Sequence, residues 1–391
     1  MAETIGDAAV PRMLVLARES RGLTQKQLST SMSELAGGAT TSQGFVSRAE
    51  AGQLPVSGER LELYAEALGY PSSLLRTNKP EFGAGVGLVH HRKRQLTTAG
   101  DIKRIHAVLN LTRLQVRSLM ADVPARTTVP IPHVEVDDLT TPADAARAVR
   151  AAIGATAGPL ESAVQLLEHA GALVLSRELL TPAQVDAGTE TVPVDAVSCC
   201  PAGEDPLVLL NTGTPAERQR YTLAHELGHM VMHQVPHKDQ EKQANAFAAE
   251  LLMPATLVRT DLSGGQLGIP RLLELKKQWN VSMWALLRRA HTLGILSDWR
   301  YRSLAVEMST LGYRTNEPDE LPPDTPAAVE AAIAWHLRHG RTIDDLAARA
   351  GLHVQEFTRL YLAASPTSTS PDLAADPVSP FPSPVRTHHD R

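Results

Sequence analysis

The sequence predicts a mainly α-helical protein with a small β-sheet: an N-terminal helical bundle, a central α+β domain and a C-terminal helical region. Three observations carry this. Helical apolar spacing bounded by capping residues runs through residues 9–76 and again through 216–311. Only three short β-type runs interrupt it, at 171–176, 192–200 and 206–210. Pro-rich junctions separate the blocks, with Pro124, Pro130 and Pro132 before the central unit and residues 317–326 after it. The expected units are a bundle at 9–76, a linker and basic helix at 77–124, the central domain at 125–321, a helical pair at 326–362 and a tail at 363–391.

Taken in order, the elements announce themselves by their ends. Thr24 followed by Gln27 has capping-box spacing and starts a helix at Gln25, which Gly37-Gly38 ends. Thr41 or Ser42 caps the next, 43–51, with Gly52 as its closing glycine. Ser57 caps another, which Gly69 ends before Pro71. Residues 77–100 read as a linker and 101–122 as a longer basic helix, and helical spacing returns at 143–153 and 159–170. Segments 280–289 and 342–351 read as capped helices packed around the central core, and Trp279, Trp284 and Trp299 suit the same packing role. From Ala363 onward Pro, Ser, Thr and Asp prevail, a composition that predicts disorder.

Composition narrows the function classes. The chain has 391 residues, 43% of them apolar but only 4% aromatic, so its cores must be built from Ala, Leu and Val. A net charge of −5 gives no general case for nucleic acid. Locally the balance differs, since Arg92, Lys93, Arg94, Lys103, Arg104, Arg113 and Arg117 face only Asp101 between His90 and Arg117. The opening MAETIGDAAV has neither a basic region nor an apolar stretch of a secretion signal, and no run reaches the roughly 18 apolar residues of a membrane span. The adjacent Cys199 and Cys200 cannot pair with each other in ordinary disulfide geometry. They read as buried small hydrophobes in a reducing cytoplasm.

The stretch His225-Glu226-Leu227-Gly228-His229 carries the strongest chemical signal. Helical residues four apart differ by about 40° in direction, so both histidines face one way, a turn apart. Two imidazoles so spaced can hold one Zn2+ at roughly 2.0–2.1 Å each. Glu226 is poorly directed as a third ligand, but it can reach a water on the metal and act as general base for attack on a peptide carbonyl. The motif also arises by chance on amphipathic helices, so the third ligand decides. The next helix offers Glu241 and Glu250. With Glu241 as zero, Asn245 lies about 40° away, Ala248 about 20° on the other side and Glu250 about 180°. Glu241 is therefore the expected ligand, Ala248 permits close approach of the two helices, and Asn245 is expected to hydrogen-bond a ligating histidine. His233 and His237 are rival site residues, with a satisfied, half-buried histidine the blander reading of His233. Tyr221, His233, His237 and several arginines remain open as transition-state stabilisers.

On residues 220–229, the Glu241-to-Asn245 spacing and residues 247–254, with weaker likeness from Ala143 to about Leu321, the chain resembles the ImmA/IrrE metallopeptidases. That resemblance implies a zincin-like domain in which His225, His229 and Glu241 bind zinc and Glu226 is catalytic. It also implies a substrate class, helix-turn-helix repressors cleaved so that their genes are released.

Residues 12–76 resemble the XRE (Cro/C1-type) helix-turn-helix family through Arg18 to Gln25, Leu28, Ser42 to Arg48, Glu50, Gly52 and Leu61 to Leu68. In such a fold the second helix of the motif enters the major groove of double-stranded DNA. Gln43, with Ser42, would read base edges, while Ser47 and Arg48 would touch phosphate. The stretch from Leu28 to Thr41 is longer than the usual tight turn, which leaves the individual contacts open. Arg92-Lys93-Arg94 reads either as an extra backbone contact or as a solvated charge run. Two functions follow as expectations: a DNA-binding regulator with a zinc endopeptidase domain, or a regulator whose zinc domain is a sensor or dimerisation module without peptidase activity. A homodimer fits either.

Overall fold

The computed structural model describes residues 7–37, 40–78, 90–91, 98–126, 128–129, 131–179, 194–200, 204–233, 238–314 and 316–362. The basic triplet at 92–94, His237 and the tail at 363–391 lie outside these residues.

Five helices open the chain: α1 (Pro11–Ser20), α2 (Gln25–Leu35), α3 (Gln43–Glu50), α4 (Glu59–Leu68) and α5 (Ser72–Leu75). Thr24 closes its capping box with Gln27, and the Ser42 side chain accepts from the Phe45 amide. The expected Ser57 cap is not formed; Gly58, at φ 56°, stands at the N-cap of α4. The long connection from Leu28 resolves into an α2 that continues to Leu35, with Gly37 at φ 66° just beyond its end. Arg18 ties α1 to α3 with two bonds to the Glu50 carboxylate, at 2.6 and 2.9 Å.

The 22-residue α6 (Ala99–Met120) starts from a Thr98–Asp101 capping box rather than at Asp101 itself. Ile105, Leu109, Leu111, Val116 and Leu119 are buried in the same core as the N-terminal helices, and Arg113 and Arg117 both pair with Glu204. Arg113 and Arg117 share one partly exposed carboxylate at the helix surface, while the apolar face of α6 packs into that core.

After α7 (Pro142–Ala152), helix α8 covers only Ala163–His169, because Ser162 caps it and Asp324 accepts from the Ala163 amide. Strands β1 (His90–His91), β2 (Leu173–Arg177), β3 (Ala196–Cys199) and β4 (Leu207–Asn211) form a sheet in the order β1-β3-β4-β2. β2 runs parallel to β4, while β3 is antiparallel to both β4 and β1. The strand period of two divides the sheet between two cores. Leu173, Leu175, Val197, Leu207 and Leu209 join the N-terminal helices and α6, whereas Val174, Ala196, Val208 and Leu210 face the helices that follow. Cys199 is buried, but Cys200 is exposed where the strand ends, contrary to its expected burial.

Those helices are α9 (Ala216–Met232), α10 (Gln240–Leu252), α11 (Ala255–Ser263), α12 (Ile269–Trp279), α13 (Met283–Thr292) and α14 (Asp298–Thr310). Buried Lys276 of α12 pairs with Glu217 in the first turn of α9 and with Glu317, which fixes the start of that helix. Trp279 and Trp284 are anchored through their indole N–H groups, but Trp299 is 75% exposed and packs no core. The expected C-terminal pair becomes α15 (Ala328–Arg338), α16 (Ile343–Ala350), the short α17 (Val354–Phe357) and a π-turn at Thr358–Leu362. Segment 342–351 packs not on the central core but on the N-terminal layer: Leu346, Ala347 and Ala350 share its apolar cluster, and Arg349 bonds the Ser118 carbonyl of α6. Among the described residues no helix is long and apolar enough to cross a membrane.

Candidate functional site

Helix α9 runs beneath the sheet with its middle buried on every side, and α10 packs against it. The approach is made possible by Gly228, within the motif. A Cβ there would stand 2.9 Å from Phe247 Cδ1 and 3.3 Å from the Ala244 backbone, closer than a side chain tolerates. Ala248 lies buried nearby, yet the glycine is what sets the separation.

That close packing brings His225, His229 and Glu241 together. The two Nε2 atoms are 3.1 Å apart, and each lies 3.3 Å from a different oxygen of the Glu241 carboxylate. A tetrahedral ion with ligands at roughly 2.0–2.1 Å needs ligand atoms about 3.3 Å from one another, so the three side chains fit one small divalent cation. The histidines are buried at 4% and 2%, while the Glu241 side chain is 55% exposed, so the cluster opens on the α10 side. Hydrogen bonds with His225 and then His229 hold the Glu241 carboxylate well below its ordinary range. Glu250 is elsewhere: it is buried against Arg289 and Arg147 and accepts from the first amide of α11.

Glu226, about 100° round α9 from His225 and about 60° from His229, reaches β3, where its Oε2 accepts from the Ser198 hydroxyl. Ser198 is paired with Val208 in the sheet register and so belongs to the face turned toward the metal helix. Burial pushes the Glu226 carboxyl up, opposed in turn by His225, the Ser198 hydroxyl and His229. A carboxylate whose proton affinity is raised by burial is the better general base. Ser198 was not anticipated. The signal was present, however, as a lone hydroxyl in an otherwise apolar strand reading Ala-Val-Ser-Cys.

The expected partnership of Asn245 with a histidine is not made. Its amide instead donates back one turn, to the Glu241 carbonyl at 2.6 Å. A short amide side chain reaches its own helix more easily than the neighbouring one. His233 takes the part instead: its Nδ1 lies 3.1 Å from His229 Nδ1, and its Nε2 lies 2.8 Å from Gln243 Oε1. Gln243 Oε1 can only accept, so His233 carries its proton on Nε2 and accepts at Nδ1. His229 must then be the donor at Nδ1, which leaves its Nε2 lone pair free to face the cluster. His225 has no such support among the described residues, where its buried Nδ1 has no hydrogen-bond partner. The Tyr221 hydroxyl is occupied by the Asn245 carbonyl at 3.2 Å.

In the N-terminal bundle, Ser42, Gln43, Ser47 and Arg48 all lie exposed on α3, while Val46 and Ala49 are buried beneath them. Arg48 Nε bonds the Gly44 carbonyl and the Ser42 hydroxyl serves as the helix cap. Phe45 is half-buried, 6.4 Å from the Tyr64 ring and under the Arg60 guanidinium, so it is a packing residue.

No curated protein matches the chain. Residues 163–291, from the start of α8 to the last turn of α13, match the Peptidase_M78 family model, described as the IrrE N-terminal-like domain, and this stretch contains Ser198, Glu226 and the whole His225–His229–Glu241 cluster.

Proposed function

We propose that the chain is a zinc-dependent endopeptidase whose N-terminal bundle binds double-stranded DNA, and that its substrate is a helix-turn-helix repressor, cleaved to release the genes it silences. The observation that carries the reading is the convergence of two imidazole nitrogens and a carboxylate on one point, with a buried, proton-hungry carboxylate on the same helix turn. Zinc held by His225, His229 and Glu241 would supply Lewis acidity toward a peptide carbonyl. Glu226 takes the proton of the attacking water as its oxygen bonds to the carbonyl carbon, then delivers that proton to the departing amide nitrogen as the C–N bond breaks. Ser198 keeps the Glu226 carboxylate oriented. Gln243 and His233 hold the His229 ring in the tautomer that ligation requires. The bundle is the part that brings this chemistry to a promoter, through Gln43 and Ser42 at base edges and Ser47 and Arg48 at phosphates.

A second reading, cleavage of the chain itself, has one observation in its favour. The backbone of His90–His91 pairs antiparallel with β3, opposite Ser198 and Val197, so part of the 77–100 linker lies along the strand that carries the partner of Glu226. Pairing of extended backbone to a strand edge is a common way to present a peptide. Wild type and Glu226→Gln, each with zinc, distinguish the readings when incubated alone and with a candidate repressor. The expected outcome is an intact wild type that cuts the repressor, and a variant that keeps zinc but is slower by roughly 10²–10⁴-fold. Zinc-dependent loss of the N-terminal bundle from wild type alone would establish self-cleavage. Neither cut, under inducing conditions, would favour a zinc domain that senses or dimerises without cleaving.

A further inference from the structure

On the face of the sheet turned away from the metal helix, a cavity of about 280 Å³ lies where α1, α6, the end of β2 and the C-terminal turn meet. Arg21, Arg104, Arg177 and Arg359 line it, against only Glu178 and Glu356. Glu356 is already engaged, holding Arg21 through two bonds of 2.7 and 2.8 Å. Arg177 is the residue that stands out. It is 5% exposed, and its Nη1 donates to the Ser176 and Leu360 carbonyls at 2.9 and 3.1 Å. Its Nε and Nη2 are buried and, among the described residues, have no hydrogen-bond partner. The guanidinium lies over the Tyr361 ring at 4.5 Å, and the Tyr361 hydroxyl donates to Gln115.

The two bare atoms form one edge of the guanidinium, with parallel N–H bonds that match the two oxygens of a carboxylate or phosphate. The same molecule shows that edge in use, since Arg18 grips the Glu50 carboxylate through its own Nε and Nη2. Among the described residues, Arg177 is the one arginine with both of these atoms buried and unpartnered. A charge kept buried without a counter-ion is costly unless something else supplies one. Burial also depresses the neighbouring Arg104 guanidinium below its usual range, against the pull of Glu178 and Asp101.

We propose that this cavity binds a small anionic metabolite through a carboxylate or phosphate seated on the Nε/Nη2 edge of Arg177. The volume, just under the roughly 300–1,000 Å³ of pockets for drug-sized ligands, suits a compact metabolite and excludes a dinucleotide. The position gives the occupant leverage on both halves of the molecule. Arg21 closes α1 of the bundle, and Thr212, also in the lining, follows β4 on the path into α9.

The test uses the full chain at fixed ionic strength, with titration calorimetry and thermal unfolding. The probes are succinate, glutarate, inorganic phosphate and glycerol phosphate, with succinamide as the neutral control. At least one anion is expected to bind one per chain and raise Tm, while succinamide does neither; whether carboxylates or phosphates bind identifies the headgroup. Arg177→Lys, which keeps the charge but loses the paired donors, should weaken binding at least about tenfold. Should that variant fail to fold, Arg104→Gln serves instead, with a several-fold weakening expected. Binding of none of the four anions, equal binding of succinamide, or unchanged affinity in the folded variant would overturn the proposal.

Discussion

Helices α9 and α3 both carry candidate functional residues, and the molecule treats them in opposite ways. On α9 every such side chain is buried and meets a partner from another element: Glu226 meets Ser198 of β3, His229 meets His233 and through it Gln243, and both histidines meet Glu241 of α10. On α3 only Val46 and Ala49 are buried, and Ser42, Gln43, Ser47 and Arg48 look outward. A buried polar group must find its partners within the fold, so its surroundings describe its chemistry. An exposed one keeps its partners for another molecule, and the fold says little about them. The peptidase half can thus be argued atom by atom, while the DNA-binding half rests on the pattern of a surface.

Variants can break this contrast or sharpen it. The largest effect is expected at the cluster: Glu241→Ala should reduce bound zinc, measured by elemental analysis, from one per chain to none, while Glu250→Gln keeps it. The reverse result would show that the helical-face assignment is wrong. Next comes the support of His229. Gln243→Ala, by freeing the His233 ring, should weaken zinc binding in a competition titration by roughly 10–100-fold, with little change in the helical circular dichroism. Unchanged affinity would mean that the His229 tautomer needs no help. The smallest effects belong to α3. Wild-type chain should bind duplex DNA with an affinity that falls steeply with salt. Gln43→Ala should reduce discrimination between sequences by about 1–3 kcal/mol, whereas Arg48→Ala should lower affinity for all sequences alike. Binding assays across a set of operators at two salt concentrations would check this, and equal binding of every sequence by wild type would sink operator reading.

Much of the site was legible because it depends on helical periodicity alone. The four-residue spacing of His225 and His229, and the angular choice of Glu241 over Glu250, need only the 100° step of a helix. Capping at Thr24 and Ser42 was local and could be read from the side chains themselves. The failures share a cause. Asn245 lies on the right face, but whether its amide reaches across or folds back was decided by distances between helices, which no spacing contains. The partner of Arg113 and Arg117 could not be read locally either, because Glu204 lies far along the chain.

The sequence by itself determined which side chains share a helical face, where side-chain caps such as Thr24 and Ser42 start a helix, and that the strands are few and short. Tertiary structure alone decided how near those faces come. Gly228 against Phe247 sets the distance at which Glu241 meets the two histidines, strand register turns Ser198 toward Glu226, and the meeting of four distant segments leaves Arg177 with an edge to offer. The physical reason is that periodicity fixes directions along one element, whereas close packing and hydrogen-bond satisfaction act between elements and are settled only when all of them are in place.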